Sequence, residues 1–163
     1  MGAISSALPH ALDRLATDSS RRNTPRAAAT TSRKLASTKA AEAILIAAST
    51  GGPTALATLL SRTGKSRIPI IIAQHMPADQ TAGFARYLAG ETGLEIVECC
   101  SGDVPSAPVV TVLGGGTDYR LGRGSCGKLR LTRARHERNV VHPSADLLFA
   151  SAADAGIKAL AVV

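Results

Sequence analysis

Two short apolar runs, each ended by a polar residue at a turn, set the rhythm of this chain. Residues 43–48 (Ala-Ile-Leu-Ile-Ala-Ala) are apolar throughout, largely branched and too short for a helix. Such a run predicts a strand covered on both faces. Apolar positions from Pro53 through Leu60 then follow helical spacing, with Pro53 in the first turn, where its missing N–H leaves nothing unpaired. A second run, Ile68 to Ala73, predicts another buried strand, and it stops at Gln74 and His75. Thr81 to Leu88 predicts a helix with Thr81 as its cap, and Leu94 to Cys99 and Val109 to Leu113 predict strands. Tyr119 to Leu121 and Lys128 to Thr132 predict a hairpin around Gly122-Arg123-Gly124. Ser144 caps a further helix that ends near Gly156, and Ile157 to Val163 reads as a last strand. Strands alternating with helices predict an α/β, three-layer, doubly wound fold with a mainly parallel sheet and an antiparallel edge hairpin. No internal repeat is visible, which excludes a solenoid.

The chemistry gathers where the first two strands end. Ser49 sits on the bend between strand and helix in Ala47-x-Ser49-x-Gly51, with Gly51 and Gly52 permitting a tight backbone. A sharp strand-to-helix turn lifts a side-chain oxygen out of the sheet and aims helix N–H groups at what reacts there. Three readings fit the turn: a nucleophile, a phosphate-binding loop at a helix N-terminus, and a plain helix cap. A Walker-type loop is disfavoured, because Gly-Lys-Ser/Thr is absent from the turn and Lys65 lies beyond the helix. His75 ends the adjacent strand, so its imidazole should reach the same rim, where a neutral ring can take a hydroxyl proton and later return it.

Composition narrows the alternatives. The chain has 163 residues, enough for one core, and 45% of them are hydrophobic. Aromatic residues make up 2%, so the core must be built from alanine, valine, leucine and isoleucine. The formal charge of +7 raises nucleic acid as a partner, yet much of the excess lies in the first forty residues and no stacking aromatics accompany it. Nucleic-acid binding is therefore set aside. Cys99, Cys100 and Cys126 form no Cys-x-x-Cys pair and leave an odd count, as expected in a reducing compartment. His10, His75, His136 and His142 do not supply metal-ligand spacing, and no metal or organic cofactor is required. No apolar stretch approaches the roughly 20 residues that span a membrane. Residues 1–40, rich in alanine, serine, threonine and arginine, read as a disordered or linker-like tail. A short helix over residues 7–17, a transit-peptide character and an acylation match at Met1-Gly2 are weaker readings of that tail.

Taken together, Ala48-Ser49-Thr50-Gly51-Gly52-Pro53 and Gln74-His75-Met76-Pro77 resemble the serine and histidine loops of the chemotaxis protein-glutamate methylesterases, the CheB-type family. Thr81 with Phe84, Ala85, Arg86 and Leu88 is similar to the helix that follows, and Gly102-Asp103 with Gly114-Gly115 to the family's mid-domain segment. His142-Pro143-Ser144-Ala145-Asp146-Leu147-Leu148-Phe149 is similar to the helix opening with Pro-Ser-x-Asp. The likeness runs over residues 43–163, within a domain read as 41–163. It implies a cytoplasmic enzyme that hydrolyses glutamate methyl esters on chemoreceptor helices, or a comparable receptor, and releases methanol.

Carried over by position, the resemblance makes Ser49 the nucleophile and His75 its general base, with Thr50, Gly51 and Gly52 supporting the turn. The family's orienting aspartate lies in a glycine-methionine-glycine loop after a further strand, and Ile157 to Val163 looks like that strand without its loop. The domain is therefore expected to be incomplete at its C-terminus and weak or inactive, with a receptor-binding remnant as the alternative. A receiver domain, which precedes the catalytic domain in the family, is not seen in the tail. His142 stands where the family has an arginine, and is a candidate substrate-facing group. Asp146 is read as a helix-start group favoured by the dipole. Arg130, Arg133, Arg135, His136 and Arg138 form a basic run that suits either an acidic receptor surface or a solvated edge strand.

Overall fold

The structure, a computed structural model, describes residues 41–135 and 141–163. The expectations for residues 1–40, and those for His136 and Arg138, lie outside the described residues.

Five strands form one sheet: β1 (Ala43–Ala48), β2 (Ile70–Gln74), β3 (Ile96–Glu98), β4 (Val110–Val112) and β7 (Ala159–Val162), in the order β3-β4-β2-β1-β7. Every neighbouring pair is parallel. Helices α1 (Gly52–Thr63) and α2 (Thr81–Thr92) follow β1 and β2, and α3 (Ala145–Asp154) precedes β7. β5 (Asp118–Arg123) and β6 (Leu129–Ala134) pair antiparallel as a separate two-stranded sheet.

The period of two along β1 and β2 explains the layers. Ile46, Ile70 and Ile72 point to one face and pack with Leu56 and Leu60 of α1 and Phe84 and Leu88 of α2. Leu45, Ile71 and Ala73 point to the other, against Leu121 and Leu131 of the hairpin and Leu148 and Ala152 of α3. With both faces covered, these strands carry no polar alternation, hence their continuous apolar sequence. The α/β three-layer architecture is as expected. The hairpin completes the layer beside α3 by packing on the sheet rather than extending its hydrogen-bonded edge. Leu160 of β7 is half-exposed, at 55%.

Local chemistry sets the element ends. Gly51 adopts φ 79° just before α1, a left-handed value that a side chain would strain, and Pro53 occupies the first turn. Ser144 caps α3 by accepting Leu147 N–H at 3.2 Å, and Asp146 lies in that helix's first turn, as expected. Three expectations need correction. Thr81 is the first residue of α2 rather than its cap, and its buried hydroxyl serves a loop far along the chain. The hairpin does not turn at Gly122-Arg123-Gly124: β5 continues through Arg123, and the turn falls at 124–128, where Cys126 (φ 62°) and Gly127 (φ 72°) are left-handed. The strands at 96–98 and 110–112 are shorter than their apolar runs.

Glu42 pins the base of this layer. Its carboxylate accepts from Arg123 Nη2 and from Lys158 N–H, each at 3.0 Å. The Lys158 N–H, then the Arg123 guanidinium, hold its carboxyl below the usual carboxylate range.

Candidate active site

Ser49 follows the last residue of β1, and His75 follows the last residue of β2. Those strands are in register, with Ala48 opposite Gln74, and the ladder gains one more rung where His75 N–H donates to Ala48 O at 3.0 Å. The two side chains therefore leave the sheet side by side. His75 Nδ1 lies 3.3 Å from Ser49 Oγ, with Ser49 exposed and His75 half-buried. The separation is slightly long for a hydrogen bond, as is common before substrate tightens such a contact.

The serine turn is held from below. Gly52 N–H donates to Ser49 O at 2.8 Å, closing the turn into α1. Gln74 Nε2 donates to Ser49 O at 3.0 Å and to His75 O at 3.1 Å. A Cβ at Gly52 would collide with Gln74 Oε1, so a larger residue there would have to displace the Gln74 amide. Thr50 and Gly51 are exposed on the rim beside Ser49.

The loop beyond His75 is clasped by two others. Gly116 N–H donates to Met76 O at 3.1 Å, and Gly115 N–H donates to the buried Thr81 hydroxyl at 2.8 Å. A Cβ on Gly115 would run into the Met76 and Pro77 carbonyls. From the other side, Met76 N–H donates to His142 O at 3.4 Å. His142 thus touches the histidine loop through its backbone, while its Nδ1 donates to Asp118 Oδ1 at 2.9 Å. Asp118 is 3% exposed and also accepts Ser144 N–H at 2.7 Å. Sequence reasoning passed over both Gln74 and Asp118. For Gln74 the signal was a polar residue closing an otherwise apolar strand, which is informative because burial of a polar group demands partners; Asp118, in a strand that also holds Arg120 and Arg123, offered no such signal.

No carboxylate among the described residues comes within ion-pair distance of His75. Asp118, the buried acid nearest in the network, is committed to His142 and Ser144. No cluster of three potential metal ligands occurs among the described residues. Arg130, Arg133 and Arg135 of the basic run are all exposed, and the Tyr119 hydroxyl raises the Arg133 pKa. No helix among the described residues is long and apolar enough to cross a membrane.

Fold and rim define a class: a doubly wound α/β protein whose hydroxyl–imidazole pair stands beyond the carboxyl ends of two adjacent parallel strands. Within that class, the chain belongs to the CheB methylesterase family, whose model matches residues 44–163. It is 37% identical over 122 residues to protein-glutamate methylesterase/protein-glutamine glutaminase 1 of Saccharophagus degradans, covering 74% of this chain and 33% of that protein. The like-named protein of Shewanella denitrificans is 38% identical over 139 residues, covering 84% of this chain and 36% of that one. The chain thus spans about a third of the length of these relatives. The crystal structure of the Thermotoga maritima CheB methylesterase catalytic domain superposes with a TM-score of 0.67 at 25% identity, covering 75% of this chain and 66% of that one.

Proposed function

We propose that this chain carries the serine–histidine half of a protein-glutamate methylesterase, acting in the cytoplasm on glutamate methyl esters of chemoreceptor helices or a comparable receptor. The observation that carries the reading is the 3.3 Å approach of His75 Nδ1 to Ser49 Oγ at an open rim. With its proton on Nε2, the neutral imidazole accepts the Ser49 proton as the oxygen attacks the ester carbonyl. The tetrahedral intermediate then collapses, His75 returns the proton to the departing methoxide, and methanol leaves a glutamyl–serine ester. Water, deprotonated by His75, hydrolyses that ester and frees Ser49. Glutamine side chains present the same carbonyl with ammonia as leaving group, in keeping with the glutaminase in the relatives' names. Thr50 and Gly51, exposed beside Ser49, support the nucleophile's turn.

A second reading, a non-catalytic receptor-binding remnant, draws on the lack of a carboxylate beside His75 among the described residues. Replacing the aspartate of a serine-protease triad costs about 10⁴ in turnover. Methanol release from methylated receptor, set against Ser49→Ala, decides between them. Release above that variant supports the hydrolase, and equal release in the two supports the remnant.

A further inference from the structure

The main-chain carbonyls of Ser49 and His75 converge on a single side chain. Gln74 is 3% exposed, and its Nε2 donates to both of them, at 3.0 and 3.1 Å. The reverse orientation of the amide would set an oxygen against two carbonyl oxygens, so the hydrogen-bond pattern fixes which atom is nitrogen. Ser49 O also receives Gly52 N–H at 2.8 Å. A carbonyl held by two donors cannot rotate about ψ without breaking one of them, and the Cα–Cβ bond of Ser49 is fixed with it. On the other side, the same amide holds the peptide that follows the imidazole. One buried side chain therefore spans both halves of the pair.

The amide is retained at a cost. Oε1 is buried and has no partner among the described residues, a loss that an apolar side chain of the same length would avoid. Room for it is kept by Gly52, where a Cβ would strike that oxygen. A side chain kept polar despite an orphaned acceptor has its use in its donors, and both donors point at the reacting residues' backbone.

We infer that Gln74 is a positioning residue: a two-armed clamp that sets the approach of Ser49 Oγ to His75 without touching substrate. The inference rests on the nucleophile–base reading above and extends it to what holds the pair together. Removing the clamp leaves the nucleophile and the base in place but loosens their alignment.

Gln74→Glu keeps the shape and replaces the donor nitrogen by oxygen, while Gln74→Met keeps the length and removes both polar atoms. Labelling of Ser49 by a fluorophosphonate, followed by mass spectrometry across the histidine titration range with Ser49→Ala as blank, reads alignment apart from substrate binding. Gln74→Met adds no charge beside His75 and should keep the parent's pH midpoint, and both variants should lose roughly 10- to 100-fold in plateau rate. Native-state hydrogen exchange gives a second readout: the Gly52 and His75 amides should exchange faster in both variants while β4 keeps its protection. A plateau rate equal to the parent's, a moved midpoint with an unchanged plateau in Gln74→Met, or unaltered exchange at those two amides overturns the clamp. A parent that labels no better than Ser49→Ala refutes the hydrolase reading alone, and exchange then decides the clamp by itself.

Discussion

His142 donates its Nδ1 proton to the buried Asp118 carboxylate at 2.9 Å, while its own carbonyl accepts Met76 N–H from the loop beside His75. The candidate substrate-facing histidine is thus anchored inward, and its placement bears on the imidazole two steps away through backbone. Asp118 opens β5 and Ser144 caps α3, so this one carboxylate joins the hairpin, the helix start and the histidine loop.

Asp118→Ala removes the acceptor for two donors in a buried setting and should cost roughly 1–3 kcal/mol of stability. Asp118→Asn retains an oxygen facing both donors and should cost less. Urea unfolding of the two variants against the parent checks the order; equal losses would remove the hydrogen bonds as the cause.

Ser49→Ala should bring methanol release to the uncatalysed background, and His75→Gln should lower it by roughly 10²- to 10⁴-fold, the usual contribution of a positioned general base. Single-turnover assays on methylated receptor measure both. A His75→Gln protein with parental turnover would remove the imidazole from the mechanism.

Gly115→Ala forces a methyl group against the Met76 and Pro77 carbonyls, which are backbone and cannot swing aside. Overpacking of this kind typically costs about 1–3 kcal/mol. Because the displaced loop carries His75, fluorophosphonate labelling of Ser49 should fall together with the melting temperature. Gly83→Ala, where an added Cβ inside α2 meets nothing within 4 Å, should leave labelling unchanged and raise the melting temperature slightly, because alanine favours helix over glycine.

Burial pushes the Cys99 thiol up to about 12, whereas Cys100 and Cys126 are exposed. Iodoacetamide at mildly alkaline pH should therefore modify two cysteines in the native protein and three after denaturation. Protonated Cys99 is favoured by the fold, so its contribution to stability is whole below the ordinary thiol pKa of 9.0 and is lost as pH rises from there toward about 12. Unfolding midpoints on both sides of that window test the sign, and Cys99→Ala should flatten the alkaline limb.

The buried strands were readable because a sheet covered on both faces needs apolar residues at every position, and 43–48 and 70–73 supply them. The proximity of Ser49 and His75 was readable because each follows the end of one of two strands expected to lie side by side in a parallel sheet. The hairpin turn was misjudged for a long-range reason. Arg123 looks like a turn residue between glycines, but its guanidinium reaches Glu42 and Gly156 O, and these draw β5 past it. Thr81 resembles a cap, yet its hydroxyl is claimed by Gly115, 34 positions on. Asp118 was silent for the same cause, since its partners lie 24 and 26 residues away. Contacts across such spans leave no local period for a sequence to display.

The rung from His75 N–H to Ala48 O extends the hydrogen-bonded ladder at the middle of the main sheet. Central strands open last in a folded protein, at free energies approaching those of global unfolding. Heat should consequently part Ser49 from His75 and melt the protein at one temperature, with no cooler regime in which an intact fold has already lost that approach.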